Sequence, residues 1–198
     1  MEERKLLAII LLSAHLTTLE CDLKFLSRKY NIRKFLNTHH PIWTYMTRQG
    51  GNTLCTVDVI TSMSPDSMFY HHLYYEKGVK RNVTFMGIFD KQNKNRISVS
   101  RKGGPYNMTE EIVFYNKAHH CAVIMISMRI TGGLRMYDLR VWNSTTVVGN
   151  ARPCLRKFTE LEPKRHCIYE NFCKGLFHTS SRSPQLIQQS AQSPRQRL

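Results

Sequence analysis

The sequence predicts an all-β protein: an eight-stranded antiparallel up-and-down barrel with an N-terminal and a C-terminal helix. Three observations lead there. Between residues 42 and 142, short runs rich in β-branched and aromatic residues follow one another. Turn chemistry separates them, at Gly50-Gly51, Ser64-Pro65-Asp66, Gly78, Asp90 to Asn95, Gly103-Gly104-Pro105 and Gly132-Gly133. Each connection is too short for the dozen or more residues of a parallel crossover, so neighbours in sequence pair antiparallel. Closing such a meander removes its edges and leaves room for one small ligand.

Residues 1–21 read as a signal peptide. A charged start (Met1–Lys5) precedes the apolar run Leu6–Leu12, and small residues follow near a cleavage point. Residues 22–38 carry apolar residues at near-helical spacing behind Asp22 as N-cap, and the proline after His39-His40 ends that pattern. The strands are then 42–46, 53–60, 68–76, 82–89, 96–101, 111–116, 121–130 and 135–142. A helix is expected at 154–162, stopped by Pro163. The domain spans 22–178, and the Ser/Gln/Pro/Arg-rich stretch 179–198 reads as a disordered basic tail.

The chain has 198 residues, 41% of them hydrophobic and 10% aromatic, enough for one packed domain. No apolar run reaches the roughly 18 residues that span a bilayer. Lys and Arg number 29 against 14 Asp and Glu, a formal charge of +15. Such a field attracts anions, so a fatty acid, an eicosanoid, a nucleotide, heparin or an anionic lipid surface is a natural partner.

Six cysteines, Cys21, Cys55, Cys121, Cys154, Cys167 and Cys173, include no CxxC pair, which argues against zinc and redox motifs. Dispersed cysteines behind a leader suit an oxidising compartment. The sequons at Asn82, Asn107 and Asn143 fit a secreted, extracellular glycoprotein. There is no HExxH, GxSxG or P-loop pattern, and no enzyme activity, metal or cofactor is expected. The doublets His39-His40, His71-His72 and His119-His120 are no chelates on a strand, where adjacent side chains point to opposite faces.

A glycan on Asn82 must point outward, which turns Val83, Phe85 and Phe89 inward on a regular strand. On the third strand Phe69, His71, Leu73 and Tyr75 form one face and Tyr70, His72, Tyr74 and Glu76 the other, and alternation alone leaves open which is internal. A primary amine needs a carboxylate once water is removed. The candidates are Asp58, Glu111 and Asp138. Asp138 and Arg140 share a face, so an inward Arg140 would neutralise Asp138 and favour an anionic ligand.

Pro41-Ile42-Trp43-Thr44-Tyr45, Cys55-Thr56-Val57-Asp58, Glu111-Ile112-Val113-Phe114-Tyr115 before Cys121-Ala122-Val123-Ile124, Tyr137-Asp138-Leu139-Arg140-Val141 and Tyr169 before Cys173 together resemble the tick salivary lipocalins, the histamine-binding protein family. The resemblance runs in order over roughly residues 22–175. It implies a lipocalin barrel with disulfides Cys55–Cys173 and Cys121–Cys154, and a third bridge, Cys21–Cys167, found in some relatives. It also implies a monomeric salivary protein that sequesters a small host mediator, by family default histamine or serotonin, or an eicosanoid or fatty acid, to suppress inflammatory and haemostatic defence. The candidate ligand-binding set is Trp43, Asp58, Tyr75, Phe85, Phe114, Asp138, Arg140 and Trp142. Pro41 stands where some amine binders of this group carry an acid. The alternative is a barrel scaffold whose basic surface binds host proteins, heparin or anionic phospholipid.

Overall fold

A computed structural model describes residues 30–48, 51–106, 108–128, 135–143 and 151–177. Eight strands, β1 (Ile42–Thr47), β2 (Thr53–Met63), β3 (Ser67–Glu76), β4 (Val79–Phe89), β5 (Arg96–Arg101), β6 (Met108–Asn116), β7 (Cys121–Met128) and β8 (Arg135–Trp142), pair antiparallel in sequence order. β1 bonds both β8 and β2, which closes the sheet into a barrel. A short ninth strand, β9 (His166–Cys167), adds to β1 opposite Met46 and Thr47, an element too short to register in the sequence pattern. The β3–β4 hairpin turns at Lys77 and Gly78, both at positive φ, which matches the two-residue turn that the right-handed strand twist favours.

One end of the barrel is plugged by α1 (Ile32–Leu36), which buries Ile32, Phe35 and Leu36. Asn31 caps it, accepting from Arg33 N at 3.0 Å. Of the helix expected over 22–38, the described part is helical only over Ile32–Leu36: Tyr30 and Asn31 are not helical, Asn31 serving as the N-cap, and the helix ends before Asn37. Ile32 N donates to Lys94 O and the Arg33 guanidinium to Pro65 O, tying the plug to two loops of that end.

On the outside, α2 (Arg152–Leu161) lays Cys154 and Phe158, one turn apart, on Val123, Leu139 and Val141 of β7 and β8. The Cys121–Cys154 disulfide joins the start of β7 to this helix. The Cys55–Cys173 disulfide joins β2 to a 3₁₀ helix at Asn171–Phe177. It encloses a chain separation of 118 residues, so its constraint on the unfolded chain is large, about 4 kcal/mol or more in the loop-entropy account. Cys167 is a free, exposed thiol. The signal peptide, Cys21, Asn107, residues 22–29 of the first predicted helix and the tail at 179–198 lie outside the described residues. No helix among the described residues is long and apolar enough to cross a membrane.

Candidate functional site

Alternation puts Ile42 and Thr44 of β1, Thr56 and Asp58 of β2, Tyr70 and His72 of β3, Phe85 of β4, Glu110 of β6, and Met136, Asp138 and Arg140 of β8 on the inner face. All of them except Ile42 line a cavity of about 540 Å³. That is within the range of sites that enclose a drug-sized molecule. Ile168 and the residues Gly51 to Thr53 stand at its mouth, at the end opposite α1.

A charged layer sits inside this cavity. Arg140 is 4% exposed and is clasped by three carboxyl groups, each itself buried: Asp58, Glu110 and Asp138. It donates two parallel hydrogen bonds to Glu110, at 2.9 and 2.8 Å, the fork geometry that suits guanidinium and carboxylate. Its Nη1 reaches Asp58 and its Nη2 reaches Asp138, both at 3.4 Å. Asp58 meets a second partner, His72 Nδ1, at 2.6 Å.

The environment separates the two aspartates. Burial pushes Asp58 up, but His72 and Arg140 outweigh it and hold its carboxyl below the usual range. Burial also pushes Asp138 up, and there Arg140 and a hydrogen bond from Thr47 do not compensate, with Glu110 adding to the rise. Burial weakens the Arg140 cation less than Glu110, Asp58 and Asp138 strengthen it, so it stays charged. Burial, with Glu110 and Asp58, keeps the Tyr70 hydroxyl protonated.

One wall is aromatic. Tyr70 stacks on Phe85 at 5.6 Å, and His72 meets the Phe85 ring edge-on at 5.5 Å. Met108, Ile126 and Met136 supply an apolar wall. Below the charged layer, Asp58, Tyr70, Glu110 and Arg140 reach a second void of about 10 Å³, room for about one water.

Of the candidate ligand-binding residues, Asp58, Phe85, Asp138 and Arg140 line the cavity. The other four do not. Trp43 falls between inward Ile42 and Thr44 and packs outside against Tyr169 and Phe177. Tyr75 shares the outer face of β3 and lies against Phe172. Phe114 would face inward on a regular strand, but a bulge between Ile112 and Phe114 reverses the phase and sends it under α2. Trp142 is at the plugged end, where it stacks on His120 and donates to Phe35 O.

Glu110, not Glu111, is the inner acid of β6. Glu111 is paired across the strand with Arg96 and bonds Asn95 and Arg96. That oppositely charged neighbour on β5 was the available signal that Glu111 faces out. His71 and His72 do point apart, His71 to Thr84 and His72 to Asp58. No cluster of three or more His, Cys, Asp or Glu among the described residues is arranged to hold a metal ion.

The charge argument for an anionic ligand also needs correction. Arg140 does face inward, but it is saturated by carboxylates, and only its Nε lacks a partner. The basic residues are elsewhere: Lys77, Lys80, Arg81, Lys91, Lys94, Arg101 and Lys102 are exposed. Positive charge is thus outside and a carboxyl excess inside.

No protein-family model and no curated protein matches this chain. Solved structures do. Japanin from Rhipicephalus appendiculatus, determined bound to cholesterol, is 11% identical over 67% of this chain and 93% of its own, with a TM-score of 0.50. The siderocalin Ex-FABP is 11% identical over 67% and 93%, with a TM-score of 0.52. The cockroach allergen Per a 4 is 9% identical over 73% and 91%, with a TM-score of 0.53. At these identities the likeness is one of fold, and the fold is lipocalin-like: a closed eight-stranded up-and-down barrel with a helix near the C-terminus.

Proposed function

We propose that this barrel is a binding protein for a small organic cation, an aromatic amine of the histamine or serotonin type, and that it acts outside the cell by sequestering that mediator. One observation carries the reading: three buried carboxyl groups surround a single guanidinium inside a cavity large enough for a ligand. An ammonium entering beside Asp138 supplies the missing countercharge and returns that carboxyl to its ionised form. A fatty-acid or eicosanoid carboxylate would instead meet three acids already holding the only buried guanidinium among the described residues. The aromatic wall of Tyr70, Phe85 and His72 suits a flat ring and can stack on it. The two disulfides support an oxidising, extracellular setting. The resemblance to tick salivary lipocalins supports a role at a feeding site, in suppressing host inflammatory and haemostatic defence. The arrangement supports capture without catalysis.

Titration calorimetry on the mature protein with histamine, serotonin, leukotriene B4 and cholesterol tests this. Saturable one-to-one uptake of an amine, with neither lipid competing, is the expected result. Uptake of leukotriene B4 or cholesterol without either amine would overturn it. Salt-sensitive heparin binding with no small-molecule heat would favour the basic-surface scaffold instead.

A further inference from the structure

The amine reading concerns one end of the ligand, and the same cavity also constrains the other end. His72 lines the cavity and keeps 27% of its side chain exposed. Its Nδ1 is committed to Asp58 Oδ1 at 2.6 Å. Asp58 is buried, and its other oxygen contacts the Arg140 guanidinium, so this carboxylate acts as an acceptor on both sides. A carboxylate that accepts must be met by a donor, which places the proton of a neutral His72 on Nδ1. The second ring nitrogen, Nε2, is then an acceptor with its lone pair free. The hydrogen bonds among the described residues give it no partner.

The position of this acceptor is also fixed. Phe85 meets the imidazole edge-on, and Tyr74 lies 5.3 Å from it on the same strand. Asp58 therefore links two functions through its two oxygens: Arg140 and the acidic layer on one, an oriented imidazole on the other. His72 and Phe85 line the same cavity as Asp138, so the ring of an amine whose ammonium pairs with Asp138 can meet them. An ammonium alone leaves that acceptor unmatched, whereas a ring hydroxyl or ring N–H satisfies it.

We infer that His72, oriented by Asp58, is the specificity-determining residue that selects amines carrying a second hydrogen-bond donor on the ring. This rests on the amine reading. A site that hydrogen-bonds a substituent discriminates against the analogue lacking it far better than apolar packing does. For a partly exposed imidazole the expected preference is about tenfold, one neutral hydrogen bond.

The test uses three probes of one skeleton: phenethylamine, tyramine and 4-methoxyphenethylamine. Affinities are measured by calorimetry on the disulfide-bonded protein at pH 8, above the ordinary imidazole range. Tyramine should bind about tenfold more tightly than either of the others. In His72→Leu the ratio should fall to about one, and in His72→Gln, which keeps an amide oxygen as acceptor, part of the ratio should return. Equal binding of all three by the native protein would overturn the role of His72 and leave the amine reading standing. A ratio that survives in His72→Leu would do the same. Binding of none of the three would overturn both. Should His72→Leu fail to fold, the ratio in His72→Gln decides: no retained preference over phenethylamine would overturn the acceptor role.

Discussion

Replacing Arg140 by Met is the sharpest test of the charged layer. The substitution nearly conserves side-chain length and removes the guanidinium that touches Glu110, Asp58 and Asp138. Charges about 4 Å apart interact by about 4 kcal/mol at an effective dielectric near 20, and three carboxyls lie within that distance. Part of that sum is offset because Arg140 no longer has to be desolvated. Breaking a buried pair by deleting one partner costs about 3–5 kcal/mol net, and that is the expected loss at pH 7. The loss must depend on pH. Burial already pushes the Asp138 carboxyl up, and without Arg140 it loses its main opposing partner and rises further above its unfolded value. Its contribution is then fully present below about pH 4 and is lost as pH rises through the folded value. The deficit of Arg140→Met should therefore shrink at pH 4. Adding Glu110→Gln removes one stranded charge, so the double variant should be less unstable than the sum of the single changes by about 0.5–3 kcal/mol. Urea unfolding with both disulfides intact, at pH 7 and pH 4, measures each quantity. A loss below about 1 kcal/mol at pH 7, or one equal at both pH values, would refute the picture of a single guanidinium balancing three acids.

Two further outcomes are expected. Asp138→Asn removes the carboxyl that burial pushes up, so it should leave thermal stability at pH 7 equal or higher while weakening amine binding about tenfold or more; in the native protein the affinity should fall as pH drops through the raised Asp138 value, which calorimetry from pH 8 to pH 5 would show. Trp43→Phe should cost about 1–2 kcal/mol in urea unfolding, because Trp43 is fully buried between the barrel and the C-terminal segment, yet change ligand affinity less than twofold, since it lies outside the cavity.

Much of the barrel was legible because its cause is local. Strand runs, tight turns and short connections force antiparallel neighbours, and the structure has eight such strands within a few residues of the predicted limits. Asp58, Phe85, Asp138 and Arg140 could be named as candidates from strand alternation, the chemistry an amine requires and family resemblance. What alternation lacks is an absolute phase. On β3 the sequence permits either His71 or His72 inside, and on β6 either Glu110 or Glu111. One residue of offset exchanges a lumen acid for a surface ion pair. The bulge between Ile112 and Phe114 shifts the phase again, and it depends on how β6 meets β7. Arg140 shows the difference most plainly. Its inward direction could be considered from its spacing to Asp138, but its meaning reversed once β2 and β6 were seen to bring Asp58 and Glu110 to it. Those partners are 82 and 30 residues away along the chain, and only the closed barrel places them around one guanidinium.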